Sequence, residues 1–117
     1  MKIFRWEEVE EEPMNDLLTR RYFSGKQLTL AKISLKKGCF VQAHSHENEQ
    51  MSMMLTGAIK YVVDGEPIIL RAGETLHIPS FSLHSAEALE DSEVLDIFSP
   101  TRSDWLEGRD DYMRGGS

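Results

Sequence analysis

The chain of 117 residues lacks the features that mark exported, membrane or nucleic-acid-binding proteins. Its single cysteine, Cys39, excludes an intrachain disulfide and gives no support for an oxidising compartment. Lys and Arg number 13 against 20 Asp and Glu, and no basic cluster is available to neutralise phosphates. No apolar run approaches a membrane span, and residues 1–13 lack the apolar core of a signal peptide. We therefore expect a soluble, cytoplasmic protein that binds neither nucleic acid nor membrane.

The length and composition are typical of one globular domain. Hydrophobic residues make up 40% of the chain and charged residues 28%, which is enough to build one core but too little to divide it. Much of the net charge of −7 lies in the acidic run at residues 7–12, for which a solvated face is the default interpretation. One domain spanning residues 1–117 is predicted.

Turn signals recur at short intervals, and short segments rich in β-branched or large apolar residues lie between them. Asp64-Gly65 is the clearest turn, because Asp-Gly supplies the positive φ angles that a two-residue hairpin needs. Many short strands in so small a domain favour a sandwich or a jelly-roll barrel. The predicted strands cover residues 28–35, 40–44, 50–55, 58–63, 67–70, 75–78, 84–89 and 93–98.

The two ends of the chain are predicted to be peripheral to a barrel of about residues 26–99. One helical turn is expected at residues 14–18 and another at 105–112, and residues 114–117 are expected to form a frayed tail. Within the N-terminal segment, residues 1–25, the side chains of residues 20–22 are interpreted as part of a solvated face. The tail comprises residues 100–117.

Metal-ligand side chains are concentrated in the run HSHENEQ, residues 44–50. His44 and His46 are two residues apart, so on a strand both imidazoles project from one face, and Gln50 has the same parity. His84 opens a later strand and could approach the same point from across a barrel. Three imidazoles and an amide oxygen would leave a divalent ion such as Zn, Ni, Mn or Fe its full charge, as suits a Lewis acid. The alternative is that these are exposed loop histidines that bind nothing.

Two sequence motifs in this region resemble those of the cupin superfamily. The first has Gly38, His44, His46, Gln50 and Gly57 at the spacing of the first cupin motif, and Gly73-Glu74, Ile78-Pro79 and His84 match the second. The resemblance implies an all-β double-stranded β-helix, the cupin jelly-roll barrel. The first motif usually has Glu where this chain has Gln50, which weakens the case for an iron dioxygenase.

The segment after the second motif resembles one group of small cupins, those of pectin degradation that linearise unsaturated uronates. In that group an Asp, a Phe two residues on and an Arg six residues on line the pocket that faces the metal. They correspond to Asp96, Phe98 and Arg102 here. The resemblance implies one divalent ion on His44, His46, Gln50 and His84, catalysis by Asp96 and Arg102, and substrate binding by Phe98 and Arg102.

The activity implied by this resemblance is the ring opening and ketonisation of a 4,5-unsaturated monouronate, an anionic sugar, to a linear 5-keto acid. Asp96 shares a strand face with Val94 and Phe98, so a carboxylate would lie inside an apolar barrel, as in many working sites. Pairing with Arg102, or capping a turn, is the alternative for Asp96. Another cupin enzyme, whether isomerase, lyase or oxygenase, and a sugar-binding or sensing cupin are the alternative functions.

Two further expectations concern the faces of strands. His77 has the opposite parity to Leu76 and Ile78, which leaves a role in the cavity and an exposed position both open. Met51, Met53 and Leu55 are predicted to point away from the ligand face. A second subunit would cover them in a homodimer, unless the N-terminal segment around residues 4–6 does so.

Overall fold

A computed structural model describes residues 1–114, which form two antiparallel β-sheets around a buried core. One sheet has six strands in the order β1-β2-β3-β10-β5-β8, and the other has four in the order β4-β9-β6-β7. This is the all-β, cupin-type architecture predicted. The strands are β1 (Glu12–Asn15), β2 (Leu18–Ser24), β3 (Thr29–Leu35), β4 (Phe40–His44), β5 (Glu49–Thr56), β6 (Ala58–Val63), β7 (Glu66–Arg71), β8 (Thr75–Ile78), β9 (His84–Ala88) and β10 (Ser92–Ser99).

Strand β10 lies at the centre of the larger sheet, paired with β3 on one side and β5 on the other. Its burial alternates strictly, because successive side chains of a strand point to opposite faces. Val94, Asp96 and Phe98 are buried, whereas Leu95 and Ile97 are half-buried on the outer face. The parity predicted for these residues is therefore confirmed, and Asp96 points inward.

The hairpin predicted at Asp64-Gly65 is confirmed. Val63 pairs with Glu66 across it, and the two turn residues have φ angles of 49° and 86°. Both angles are positive, as a type I′ turn requires. The hairpin joins β6 to β7 at the edge of the smaller sheet.

The predicted helical turn at residues 14–18 is wrong, and residues 18–24 are not peripheral. They form β2, an internal strand of the six-stranded sheet, while β1 is the edge strand and so tolerates Pro13. Arg20 points inward from β2 and is only 1% exposed, which contradicts its interpretation as part of a solvated face. It is stabilised there by ion pairs with Glu12 and Asp110.

The C-terminal segment is helical in two separate turns rather than one. Helix α1 covers Ser103–Leu106 and α2 covers Asp111–Arg114, with Gly108 at a φ of 75° between them. Trp105 and Met113 are buried, so this segment closes one side of the core rather than forming a peripheral tail. Of the predicted frayed tail, residues 115–117 lie outside the described residues.

The outer face of the six-stranded sheet is partly covered by the N-terminal segment. Phe4 stacks on Phe23 of β2 at 4.2 Å between ring centroids, and Trp6 contacts the same ring. These contacts lie at the β2 side of the sheet. Within residues 1–114, no helix has the length and apolar character that a membrane span requires.

Candidate metal centre and adjoining pocket

Three histidines converge at one end of the core. His44 ends β4 and pairs directly with His84, which begins β9. His46 lies in the loop after β4 rather than on the strand itself, which corrects the prediction that both histidines share a strand. One ring nitrogen from each imidazole lies within 4.8 Å of those of the other two, a separation suited to binding a single ion.

Backbone carbonyls fix the orientation of all three rings. Nδ1 of His44, His46 and His84 contacts the carbonyl oxygens of Gln42, Asn48 and Ser82 respectively, at 2.8, 3.0 and 2.8 Å. Because a carbonyl only accepts, Nδ1 carries the hydrogen, and the Nε2 lone pairs are left free.

The electrostatic surroundings keep the three imidazoles neutral. Burial lowers the pKa of His44 to about 3 and that of His46 to about 4, and it also lowers the pKa of His84. The positive charge of Arg102 adds to the effect on each ring. A neutral imidazole is the form that binds a metal ion.

Two observations indicate that a cation fits between these side chains. Nε2 of His84 is buried and has no hydrogen-bond partner among the described residues. Nε2 of His46 lies 3.2 Å from Oε1 of Gln50, and both atoms carry lone pairs directed at each other. A positive ion would satisfy all three atoms, and the three histidines with Gln50 form the donor set predicted for it.

A hydrogen-bond chain sets the orientation of Gln50. Its Nε2 donates to Oγ of Ser52 at 2.9 Å, and the Ser52 hydroxyl donates to Oδ1 of Asp96 at 2.6 Å. Since the carboxylate accepts from Ser52, Ser52 must accept from the amide nitrogen, which turns the amide oxygen of Gln50 toward His46. The chain thus links the predicted catalytic carboxylate to the histidine cluster.

Asp96 is enclosed in the core, with only 6% of its surface exposed. Burial raises its pKa to about 6, although the Ser52 hydroxyl and the charge of Arg102 favour the ionised form. A carboxyl group with such a pKa can gain and lose a proton near neutral pH.

Arg102 lines the same pocket as Asp96 but hydrogen-bonds to other residues. Its Nε and Nη2 donate to the two carboxylate oxygens of Asp104 at 2.9 and 2.6 Å, and Nη2 also donates to the Tyr112 hydroxyl at 2.6 Å. Burial raises the pKa of Asp104, but the bonds from Arg102 outweigh it and hold that pKa below its usual range. Among the described residues, Arg102 therefore makes no direct hydrogen bond to Asp96, which contradicts the alternative that the two side chains pair.

The other predicted positions also have defined environments. Phe98 is buried with its ring against His46 and the Arg102 guanidinium, at 5.7 and 4.6 Å between centres. His77 is exposed on the outer face, with Nε2 at 2.7 Å from a carboxylate oxygen of Glu49. A role for His77 in the cavity is thereby excluded. Cys39 is a free cysteine buried in the core.

The sequence profile of the family described as Cupin domain matches residues 31–98, which contain the histidines, Gln50 and Asp96. The protein is a cupin. The matched region runs from β3 to β10 and therefore includes strands from both sheets.

Relatives with known names or structures are similar to this cupin over most of its chain. The pectin degradation protein KdgF of Dickeya dadantii (strain 3937) is 28% identical over 103 residues, covering 86% of this chain and 94% of the relative. The crystal structure of an RmlC-like cupin from Shewanella frigidimarina has a TM-score of 0.84 and 28% identity, covering 90% of this chain and 96% of that one. KdgF from Halomonas sp. has the same TM-score and identity, with 91% and 99% covered.

Sequence reasoning missed several residues around the pocket of this cupin. Ser52 has no predicted role, although its spacing of two from Gln50 places both side chains on one strand face and was the available signal. Tyr61 is buried beside Asp96, whose negative charge adds to the effect of burial in raising the Tyr61 pKa. Asp104 and Tyr112 lie in the segment predicted to be peripheral, and no local pattern marks their contacts with Arg102.

Proposed function

We propose that this cupin is a metal-dependent enzyme that converts 4,5-unsaturated monouronates, products of pectin or alginate breakdown, to linear 5-keto acids. The observation that carries the proposal is the chain from Asp96 through Ser52 and Gln50 to the histidine cluster. It sets an inward carboxylate with a pKa of about 6 next to a ready-made cation site. The similarity to KdgF proteins gives the substrate class.

The proposed reaction is a proton transfer coupled to the breaking of one ring bond. Asp96 takes the proton of the C1 hydroxyl, the bond between C1 and the ring oxygen breaks, and C1 becomes an aldehyde. The electron pair stays on the former ring oxygen, which gives an enolate at C5. Asp96 then returns the proton to C4, and the product is a 5-keto acid with the same atoms as the substrate.

The residues around Asp96 hold the substrate for this transfer. Arg102 is the one Arg or Lys among the described residues that line the pocket, and it is assigned to the substrate carboxylate. Its guanidinium packs against both Phe98 and Trp105, with its central carbon 4.6 and 4.4 Å from their ring centroids. Phe98 also supplies an apolar wall for the sugar.

A divalent ion held by His44, His46, Gln50 and His84 would supply Lewis-acid stabilisation of negative charge on oxygen. Neutral ligands leave such an ion its full charge, which suits this chemistry better than electron storage. Zn, Ni, Mn and Fe are the candidate ions.

Loss of the ultraviolet absorbance of the enol ether tests the function directly. Freshly prepared unsaturated galacturonate is mixed with protein loaded separately with each candidate ion, and with protein stripped by a chelator. We expect faster absorbance loss than the spontaneous rate only with an ion bound. A rate equal to the spontaneous one, with the ion measured at one per chain, would refute uronate linearisation and favour another cupin activity or a sugar-binding role.

We also propose that the protein is a cytoplasmic homodimer. Met51, Met53 and Leu55 on the outer face of β5 are 41%, 39% and 38% exposed, and the described N-terminal contacts lie at β2 instead. Light scattering coupled to gel filtration should give twice the chain mass. Met53→Glu should shift the mass toward that of one chain, whereas Lys26→Glu on an exposed turn should not.

A further inference from the structure

Tyr112 lies at the pocket although the cupin profile does not reach it. It belongs to α2, and its ring stacks on the imidazole of His44 with 4.3 Å between centroids and 30° between planes. The side chain thus connects the C-terminal segment to the candidate metal centre. The Tyr112 hydroxyl group can donate and accept hydrogen bonds at the pocket.

The hydrogen bonds of that hydroxyl can be counted. Nη2 of Arg102 lies 2.6 Å from the phenolic oxygen and Nε1 of Trp105 lies 3.2 Å from it. A guanidinium and an indole N–H can only donate, so both lone pairs of the oxygen are taken. The phenolic hydrogen must therefore point to a third group, and no acceptor for it is present among residues 1–114.

The contact with Arg102 indicates what that third group is. Nε and Nη2 of Arg102 donate hydrogen bonds to Asp104, and Nη2 also donates to Tyr112. The third guanidinium nitrogen, Nη1, has no hydrogen-bond partner within the described part of the chain. An anion bound to Nη1 would lie close to the phenolic hydrogen as well. A carboxylate has two oxygens and can accept from both donors.

We propose that Tyr112 is a ligand-binding residue whose O–H donates to the carboxylate of the sugar acid, beside Arg102. The assignment rests on the proposed function and adds a recognition contact to it. Specificity would follow, because a neutral sugar would leave both donors without an acceptor.

The position of Tyr112 is set by contacts from the N-terminal strands. Arg20 bonds Asp110 at 2.8 Å, and Nδ2 of Asn15 donates to the carbonyl oxygen of Met113 at 3.1 Å. These bonds flank Tyr112 on both sides in the chain. The hydroxyl is therefore held in place before any ligand arrives, which reduces the entropy lost on binding.

Calorimetry with galacturonate, a saturated acid that cannot undergo the reaction, measures the contact in metal-loaded protein. Tyr112→Phe keeps the ring on His44 and removes only the hydroxyl. We expect it to weaken galacturonate binding by about tenfold or more, the usual effect of a hydrogen bond to a charged group. Metal stoichiometry should match the wild type, and Tm should fall only modestly, because Arg102 keeps Asp104 as a partner whereas Nε1 of Trp105 loses its acceptor. Tyr22→Phe is the matched control, since Tyr22 contacts Trp105 but does not line the pocket.

A second comparison separates direct binding from an effect through Arg102. In an Arg102→Lys background, a direct contact predicts that Tyr112→Phe still weakens binding several-fold. No further loss in that background, or an affinity of Tyr112→Phe within twofold of the wild type, would overturn the assignment. Turnover of unsaturated galacturonate would then leave the proposed function standing. Absence of both turnover and galacturonate binding in the wild type would overturn both.

Discussion

Arg20 and Asp110 are 90 positions apart in the chain, and their side chains meet in the buried interior at 2.8 Å between Nη2 and Oδ2. Arg20 is also stacked against the ring of Trp105, 4.4 Å from its centroid. The pair therefore joins an N-terminal strand to the segment that carries Tyr112. We call it the Arg20–Asp110 pair.

Breaking the Arg20–Asp110 pair should destabilise the protein. Asp110→Asn leaves a buried guanidinium with less compensation, which typically costs about 3–5 kcal/mol, and Glu12 as a second partner of Arg20 favours the lower end. Urea unfolding measures the loss. The control is Arg109→Ala, which removes an exposed ion pair with Glu107 and should leave the unfolding midpoint unchanged. Equal unfolding midpoints for Asp110→Asn and the wild type would show that the Arg20–Asp110 pair does not contribute to stability.

The same pair should make stability sensitive to acid. Burial raises the pKa of Asp110, but hydrogen bonds from Arg114 and Arg20 outweigh it and lower that pKa below its usual range. A lowered pKa in the folded state gives stability that is present above the unfolded value of about 3.9 and lost as the pH falls through the folded value. The Tm difference between wild type and Asp110→Asn should therefore shrink below about pH 4. A constant difference from pH 6 to pH 3 would contradict this.

Removing one histidine of the cluster should abolish tight metal binding. His84→Ala leaves two imidazoles and one amide to bind the ion. Loss of a residue that only hydrogen-bonds a metal ligand typically lowers metal affinity by about 10–100-fold, so loss of a ligand itself should lower it by more. Calorimetric titration of the protein with zinc measures the metal affinity. His77→Ala is the matched control and should leave the affinity unchanged, because His77 lies on the outer face, where its imidazole contacts Glu49.

Replacing the buried carboxylate should remove activity without loss of stability. Asp96→Asn cannot carry the proton, and loss of such a group typically lowers the rate by about 100-fold to 10,000-fold. Because burial penalises the ionised form of Asp96, we expect the Tm at pH 8 to be no lower than that of the wild type. Metal content should be unchanged. Residual activity near the wild-type value would remove Asp96 from the mechanism.

The rate should also depend on the protonation of Asp96. Since the step needs the ionised carboxylate, kcat/KM should rise with pH through a value of about 6 and then level off. Ser52 donates to that carboxylate and favours its ionised form, so Ser52→Ala should move the midpoint to higher pH. A midpoint that does not respond to this substitution would mean that another group controls the profile.

Much of the barrel could be predicted from the sequence because its inner faces are apolar and its turns carry glycine. The predicted strands at residues 40–44, 58–63 and 75–78 have the observed bounds, and the other five agree to within one residue at each end. Strand β2 was missed because an arginine occupies an inward position, and its burial depends on Asp110, which no local pattern reveals. The three histidines predicted as metal ligands lie close together, as expected. The hydrogen bonds of Arg102 to Asp104 and Tyr112 were not predicted, because they depend on how the C-terminal segment folds back onto the barrel.

The order in which the chain is synthesised gives the Arg20–Asp110 pair a further consequence. Strands β1 to β10, with all three histidines, leave the ribosome before Asp110 does. Until then Arg20 has Glu12 as its described acidic partner, and Tyr112 is not yet available to stack on His44. The side chains proposed to bind the metal ion are therefore synthesised before the residue that completes the wall of the pocket.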